Sequence, residues 1–341
     1  MKPFRTLCAA VLAAAAAAAF AGTTDGPPVG GQAKEFPITG ALNMRPTTHP
    51  LRSLRGRVVL LTAFETWTRT CADPDAIKDI NGIYDKYGPK GLTVLAYGAQ
   101  EKKLVEPFIA EKGVRFPWVL IDTPTQEQFK RDWPAPGAPW SYLIDVDGKI
   151  VWQENPRNMQ NPGVLKPGTL EPLLAATSAA PLLPKALADQ QKLLDDGLWS
   201  AAKKSLEDAA SGGKLEKADI GWAKETAAWV GRRHTAYLTD AEALCKKGFW
   251  WDAWNMMSEF PRRFEGMDGA DKAAAKAEEI RKVPEALKDL TQGDDIVKVR
   301  DLVAKKNWTP ARLVLSRLVK ETKGTRYAER IAEIMESVPP K

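Results

Sequence analysis

A strand, a short motif and a helix follow one another early in the chain and constrain its fold most strongly. RVVLLTAF, residues 57–64, is an uninterrupted run of apolar and β-branched residues, typical of a central strand that is buried on both faces. The motif WTRTC follows at Trp67–Cys71, and residues 73–87 then have apolar side chains at helical spacing. The sequence therefore predicts that the motif joins a buried strand to an amphipathic helix.

The segment after this helix continues the alternation of strands and helices. Strands and helices are predicted in turn at 92–97, 105–109, 118–121 and 126–132. Asp147-Gly148 then joins two further strands, which must be antiparallel because this residue pair is among the strongest hairpin signals. A helix near 169–177 closes the series. Helix-linked strands followed by a hairpin predict an α/β domain with a mixed central sheet flanked by helices.

The chain from about Leu51 to Thr177 resembles the exported thioredoxin-like proteins of the TlpA and redoxin type. WTRTC, the segment KYGPKGLTVLAYG and the pattern GAPWSYLIDVDGKIVW carry this resemblance, because they have the family's order and spacing. The resemblance implies a thioredoxin-like fold in which Pro139 is a cis-proline. It also implies that Trp67, Ala138 and Pro139 form the substrate groove, where Ala138 offers backbone polar groups to extended substrates.

Thr68 is the position at which this chain departs from the family pattern. The matching family residue is an attacking cysteine exposed at a helix N-terminus, where the helix dipole lowers the pKa of a thiol. Cys71 matches the second, more sheltered cysteine of the family. Disulfide exchange needs both an attacking thiolate and a resolving thiol, so this degenerate motif has half of the usual machinery.

Three functions are compatible with the motif. The first is thiol-redox chemistry through Cys71, with Thr68 and Arg69 shaping its thiolate and lowering its pKa. The second is a redox-inactive scaffold that binds protein partners. The third is a peroxidase, because the motif also resembles the TxxC arrangement of peroxiredoxins, although Phe64 and Pro139 stand where that family has a proline and an arginine. The expected partner is therefore a thiol or disulfide protein substrate, or a protein bound without chemistry.

The second half of the chain changes in character after the Pro181–Pro184 hinge. No strand-like alternation follows, and alanine, lysine, glutamate and leucine dominate, as in a helical domain. Three segments align without gaps and share a tryptophan, an alanine three residues later and a large apolar residue four beyond: Trp199, Ala202 and Leu206; Trp250, Ala253 and Met257; Trp308, Ala311 and Leu315. This spacing places the three residues of each segment on one helix face.

Helix pairs are predicted around each of these segments. Gly197 and Gly248 fit helix C-terminal caps before the second helix of a pair, whereas the third copy has Lys306-Asn307 and is predicted to cap less well. The pattern resembles helix-pair repeats of the tetratricopeptide kind, although the copies are 51 and then 58 residues apart, longer than that family's period. Cys245 aligns with apolar residues of the other copies, which predicts a core position.

The N-terminus has the pattern of an export signal. Lys2 and Arg5 precede an apolar run, and small residues follow at Ala19 and Ala21. We therefore expect an exported protein, periplasmic or secreted, with no membrane span after removal of the signal. The predicted division is a signal peptide (1–21), an N-terminal arm or linker (22–50), a thioredoxin-like domain (51–178) and an all-α helical-repeat domain (185–341).

Charge and histidine content argue against other classes of function. The formal charge is +6, which falls to +4 when Lys2 and Arg5 are removed, and the basic residues are spread among acidic ones. This distribution is typical of solvated helix faces rather than nucleic-acid binding. His49 and His234 lack partners at ligand spacing, and the chain has no phosphate-binding glycine motif, so neither a metal nor a cofactor is predicted.

Overall fold

The structure, a computed structural model, describes residues 29–44, 50–133, 137–156, 167–325, 327–336 and 338–339. The strands within these ranges are β1 (Gly40–Leu42), β2 (Val58–Ala63), β3 (Leu92–Gly98), β4 (Trp118–Leu120), β5 (Trp140–Ile144) and β6 (Ile150–Glu154). The helices as far as the hinge are α1 (Pro50–Ser53), α2 (Arg69–Ala72), α3 (Pro74–Tyr87), α4 (Lys102–Lys112), α5 (Thr123–Asp132) and α6 (Pro167–Ala175). The helices after the hinge are α7 (Ala188–Asp195), α8 (Trp199–Ser211), α9 (Lys217–Lys246), α10 (Trp250–Arg263), α11 (Ala270–Arg281), α12 (Ala286–Ala304), α13 (Trp308–Glu321) and α14 (Ala328–Glu336). The predicted export signal at 1–21 lies outside the described residues.

The six strands form one mixed sheet in the order β1-β4-β3-β2-β5-β6. β2, β3 and β4 are parallel to one another, whereas β5 runs antiparallel to β2 and β6 antiparallel to β5. The predicted Asp147-Gly148 turn joins β5 to β6, and Gly148 has φ +81°, a conformation that favours glycine. The predicted α/β fold with a mixed sheet is therefore confirmed.

The sheet is covered on both faces, as the apolar run of β2 predicts. All six residues of β2 are buried. Val59 and Leu61 belong to a cluster on one face with Tyr97 of β3. Phe64 lies in an aromatic cluster and meets Trp118 edge to face, with ring centroids 5.2 Å apart. Because neighbouring residues of a strand point to opposite faces, β2 contributes to both layers of the core.

The predicted N-terminal arm contributes a strand to this sheet. β1 pairs antiparallel with β4, in a register that places Gly40 opposite Leu120. Before β1, the carboxylate of Glu35 accepts the backbone N–H groups of Leu51 and Arg52, at 3.2 and 2.7 Å. The described residues from 29 to 44 thus belong to the fold of the domain. The sequence analysis did not predict this strand, because three residues of Gly-Ala-Leu are too few to show a period.

The chain divides into two compact units. The first comprises the chain as far as Asp196 together with Ala202–Trp229, and the second comprises Gly197–Ala201 together with Val230–Lys341. Within the described residues, no helix is both long enough and apolar enough to span a membrane. The predicted hinge lies inside the first unit, and a boundary of independent folding at 178–185 stays a prediction.

A hydrogen bond and two ion pairs hold residues after α6 and at the start of α9 against the rest of the first unit. Arg57 donates a hydrogen bond from Nε to the carbonyl of Ala180, at 2.7 Å. Arg115, ahead of β4, reaches Asp85 on α3 at 3.2 Å and Asp219 on α9 at 2.7 Å. Asp219 is almost fully buried, so this pair is shielded from water and more costly to break than a surface ion pair.

The three aligned segments occupy the same place in three helix-turn-helix pairs. Trp199, Trp250 and Trp308 are each the first residue of a helix. The alanine and the large apolar residue predicted on the same face are buried in every copy: Ala202 and Leu206, Ala253 and Met257, Ala311 and Leu315. The helical nature of this half is confirmed, and the resemblance to tetratricopeptide repeats stays a prediction.

The turn before each of these helices has the same backbone conformation. Gly197 and Gly248 have φ near +74° and +75°, and Lys306 adopts φ +55° at the matching position. Hydrogen bonds that span five residues close the last two turns, from Phe249 N to Leu244 O and from Asn307 N to the carbonyl of Leu302. The third copy therefore makes the same cap as the second, but with a lysine in the left-handed conformation that glycine favours.

Candidate functional site

The motif Trp67–Cys71 lies between the carboxyl end of β2 and helix α3, as predicted. Trp67 is 61% exposed, whereas Cys71 is completely buried. Thr68 is half-buried at the start of the four-residue helix α2, and the side chain of Arg69 is exposed. The motif therefore presents an aromatic and a cationic side chain to solvent, while its thiol faces the interior.

Burial determines the protonation of Cys71. Its Sγ accepts the backbone N–H of Glu65 at 3.5 Å. Desolvation raises the pKa of the Cys71 thiol, and the backbone N–H of Glu65 and the nearby hydroxyls of Thr68 and Thr70 oppose this only in part. From the sequence, Arg69 was expected to lower this pKa. The pKa is raised instead, because the thiol is buried and the guanidinium lies in solvent.

Thr68 has the helix-start position of the family's attacking cysteine but is turned back toward the strand. Its hydroxyl donates to the carbonyl of Glu65 at 3.1 Å and makes no capping bond to helix α2. A threonine hydroxyl at this position is a hydrogen-bonding group of the loop.

The peptide bond between Ala138 and Pro139 is cis, as the resemblance implied. Thr70 connects it to the motif, because its hydroxyl donates to the carbonyl of Ala138 at 2.5 Å. The motif and the proline loop are therefore adjacent. This bond occupies one of the two lone pairs of a carbonyl that family members offer to substrates. We call Trp67, Thr68, Arg69, Thr70 and Ala138 the motif surface.

Two residues beside the motif were missed by the sequence analysis. Thr70 was passed over because roles were assigned to Thr68, Arg69 and Cys71 alone. Gln100 follows β3 and accepts the N–H of Thr66 at 3.0 Å, and its amide donates to the Thr66 hydroxyl. Its position at the carboxyl end of a parallel strand is the signal that could have indicated it.

Gly98 allows the two central strands to approach closely at the site. A β-carbon at this residue would lie 2.5 Å from the carbonyl oxygen of Phe64, so no larger residue fits without a backbone shift. This contact holds the end of β2, and hence the start of the motif, against β3. Within the described ranges, the histidine, cysteine, aspartate and glutamate side chains form no group that could hold a metal ion.

Residues 29–153 match the family model of the AhpC/TSA family. The matched segment begins ahead of β1 and ends within β6, so it includes the first five strands and all but the last residue of the sixth. No curated protein matches the chain. The family match therefore describes the first part of the chain and not the helices that follow the hinge.

Solved structures similar to the chain cover less than half of its length. A protein assigned as a thiol:disulfide interchange protein DsbE from Chlorobium tepidum is 26% identical over 37% of this chain and 84% of its own, with a TM-score of 0.32. The thioredoxin domain of a thiol-disulfide oxidoreductase from Bacteroides vulgatus is 20% identical over 37% and 88%, with a TM-score of 0.34. A protein assigned as a disulfide isomerase from Bacteroides thetaiotaomicron is 27% identical over 38% and 79%, with a TM-score of 0.31.

The assignment of the fold rests on the sheet order and on the family match. The first part of this chain therefore has a thioredoxin-like fold, and its residues 29–153 are similar to the AhpC/TSA family.

Proposed function

We propose that the thioredoxin-like domain binds an extended segment of a partner protein at the motif surface and does not catalyse dithiol exchange. The burial of Cys71 carries this proposal. Its exposure is 0%, so a partner disulfide cannot reach its sulfur without local opening. Because disulfide exchange requires attack by an accessible thiolate, a buried thiol with a raised pKa is poorly suited to it.

The exposed Trp67 supports binding. Large aromatic side chains at the centre of an interface contribute disproportionately to affinity, because they bury much area at a small cost in conformational entropy. Ala138, whose carbonyl accepts the hydroxyl of Thr70, lies beside the motif and is half-buried. An extended segment can therefore pair with this backbone and cover the indole, as in other strand-addition complexes.

Thiol exchange through Cys71 alone is the second candidate function. The match of residues 29–153 to a redoxin family favours it. It requires an opening of the motif loop that exposes the thiol and removes the desolvation that now raises its pKa. Peroxidase chemistry has less support, because Pro139 and Phe64 occupy the positions of an arginine and a proline in that family.

A capture experiment, in which the full-length protein is immobilised and binds partner proteins, tests the proposal. We expect Trp67→Ala to abolish the capture of specific partners and Cys71→Ala to leave it intact. Leu104→Ala is a matched control, because Leu104 is 54% exposed on helix α4 of the same domain. Retention of the same partners by Trp67→Ala would contradict binding at the motif surface. Loss of partners from Cys71→Ala, together with their recovery as mixed disulfides from the native chain, would contradict the binding function and support thiol exchange.

We further propose that the protein acts outside the cytoplasm and that its helical half takes part in binding. The leader-like pattern around Lys2 and Arg5 supports export, and the repeated helix pairs support a role in recognition. Cell fractionation followed by mass spectrometry of the recovered protein tests export. We expect removal of residues 1–21 and recovery outside the cytoplasmic fraction, and an uncleaved cytoplasmic chain would contradict it.

A further inference from the structure

A small cavity opens beside the motif surface at the carboxyl ends of the parallel strands. Its volume is about 170 Å³. Crevices outside the carboxyl ends of parallel strands are the usual ligand sites of open α/β sheets. The described residues that line it come from the ends of β2, β3 and β4, from α5 and from the proline loop; they include Glu65, Tyr97, Ile121, Gln126, Trp133 and Ala138.

The lining combines one charge with aromatic walls. Of the described lining residues, Glu65 is the only charged one. Among the side chains that the structure describes, none forms a hydrogen bond or an ion pair with its carboxylate. Tyr97 and Trp133 are 6% and 2% exposed, so their rings are held rigidly by the core. The Glu65 carboxylate is close enough to Tyr97 to contribute to the raised pKa of that phenol, after desolvation and Tyr142.

We propose that this cavity binds the positively charged side chain of a basic residue in the protein segment that occupies the motif surface. The inference rests on the proposed binding function and deepens it, because it states which side chain the segment must carry. A guanidinium or ammonium group gains the Glu65 carboxylate as ion-pair partner, and Tyr97 and Trp133 in the wall of the cavity give its aliphatic stem an apolar surface. Ala138 lines the cavity and belongs to the motif surface, so one extended segment reaches both.

The same chemistry disfavours other side chains. A segment that covers the cavity removes water from Glu65, and a charge desolvated without a partner is costly. An apolar or neutral side chain leaves the carboxylate unpaired, and an acidic one adds repulsion. The cavity therefore favours a basic residue in two ways: its charge attracts the Glu65 carboxylate, and neutral or acidic residues lose binding free energy there.

Selection of random nonapeptides displayed on phage tests this assignment. Peptides are selected on the full chain, and those that also bind Trp67→Ala are discarded. We expect a basic residue at one fixed position of the remaining peptides. The strongest of them is then synthesised with arginine and with citrulline, its neutral isostere, at that position. Citrulline should weaken binding to the native chain by roughly tenfold, as expected for the loss of one interfacial ion pair.

Glu65→Gln should bind the two peptides equally, and its retained affinity for the citrulline peptide shows that the site is folded. Glu101→Gln is the matched control, because this exposed carboxylate pairs with Lys103 and does not line the cavity. It should keep the preference for arginine. An acidic or apolar residue at the fixed position, or an arginine preference retained by Glu65→Gln, overturns the cavity assignment and leaves binding at the motif surface intact. The absence of any Trp67-dependent peptide overturns both.

Discussion

The indole ring of Trp222 lies directly against Gly88, so that a β-carbon at Gly88 would meet the ring at 2.2 Å. The same indole donates from Nε1 to Asp85 at 3.2 Å and packs on Tyr84, with ring centroids 4.8 Å apart. A helix that follows the hinge thus provides part of the packing of the first compact unit. The absence of a side chain at Gly88 makes this packing possible.

Gly88→Ala tests this relationship. Because the added methyl group overlaps the buried Trp222 ring, we expect the free energy of unfolding to fall by about 1–3 kcal/mol. Gly82→Ala is the matched control on helix α3, since nothing lies within 4 Å of its added carbon. It should stabilise the protein by about 0.5–1 kcal/mol through higher helix propensity. Urea unfolding measures both, and equal effects would contradict the packing.

Thr68→Cys tests the equivalence of Thr68 and the family's first cysteine. The Thr68 hydroxyl is close enough to Cys71 to act on the pKa of its thiol. A sulfur in that place should therefore form a disulfide with Cys71 on mild oxidation, and the variant should gain disulfide reductase activity. Thiol counting and peptide mapping identify the pair. A new thiol that stays free, or that pairs with Cys245, would show that the motif alignment is wrong.

Cys71→Ala tests the burial of the thiol through pH. The pKa of Cys71 is raised in the folded state, so the folded protein holds the proton more tightly than the unfolded chain. The associated stability is fully present below about pH 8.5, the ordinary thiol value, and is lost as pH rises through the higher folded pKa. We expect the stability difference between the native chain and Cys71→Ala to shrink as the pH rises above about 8.5. A difference that grows with pH would indicate a stabilised thiolate.

Lys306→Gly tests the third helix cap. Lys306 has φ +55°, a conformation that costs a lysine more than a glycine. We therefore expect a gain in the free energy of unfolding of about 0.5–1 kcal/mol. The neighbouring Lys305 has φ −79°, so Lys305→Gly should lower stability by a similar amount. Thermal unfolding of both variants gives the comparison, and a loss of stability in Lys306→Gly would contradict the cap.

Trp251→Ala and Trp250→Ala separate a core residue from its neighbour. Trp251 is buried, its ring lies against Gly293, and its Nε1 donates to Asp294 at 3.3 Å. Its truncation should cost about 3–5 kcal/mol. Trp250 is half-buried beside a core cluster, and its truncation should cost about 1–2 kcal/mol. Denaturant unfolding orders the two variants, and a larger loss for Trp250→Ala would reverse the assignment of the core face.

Patterns with a local cause were predicted well from the sequence. β2 was recognised because burial on both faces leaves an uninterrupted apolar run, and the hairpin because Asp147-Gly148 satisfies a specific turn. The three repeated helices were recognised because a tryptophan at the start of each is followed, three residues later, by a buried alanine. Ala202, Ala253 and Ala311 are small where helices approach closely. Each of these signals lies within a few residues of the feature it predicts.

Features that depend on distant partners were not predicted. The contact of Trp222 with Gly88 joins residues far apart in sequence, and neither residue indicates the other. The burial of Cys71 depends on how the loop folds over it, so the sequence alone left its reactivity undecided. The burial of Trp251 also depends on a distant partner, because its ring packs against Gly293, whereas the repeat pattern marked its half-buried neighbour Trp250.

The exposure of Trp67 gives the motif surface an optical signal of its own. All twelve tryptophans lie within the described ranges, and Trp67 is the only one among the exposed large apolar residues there. Aqueous quenchers such as acrylamide therefore act most strongly on its emission, because every other indole is buried or half-buried. A partner that covers the motif surface shields this indole, so binding is visible in the unmodified protein without any attached dye.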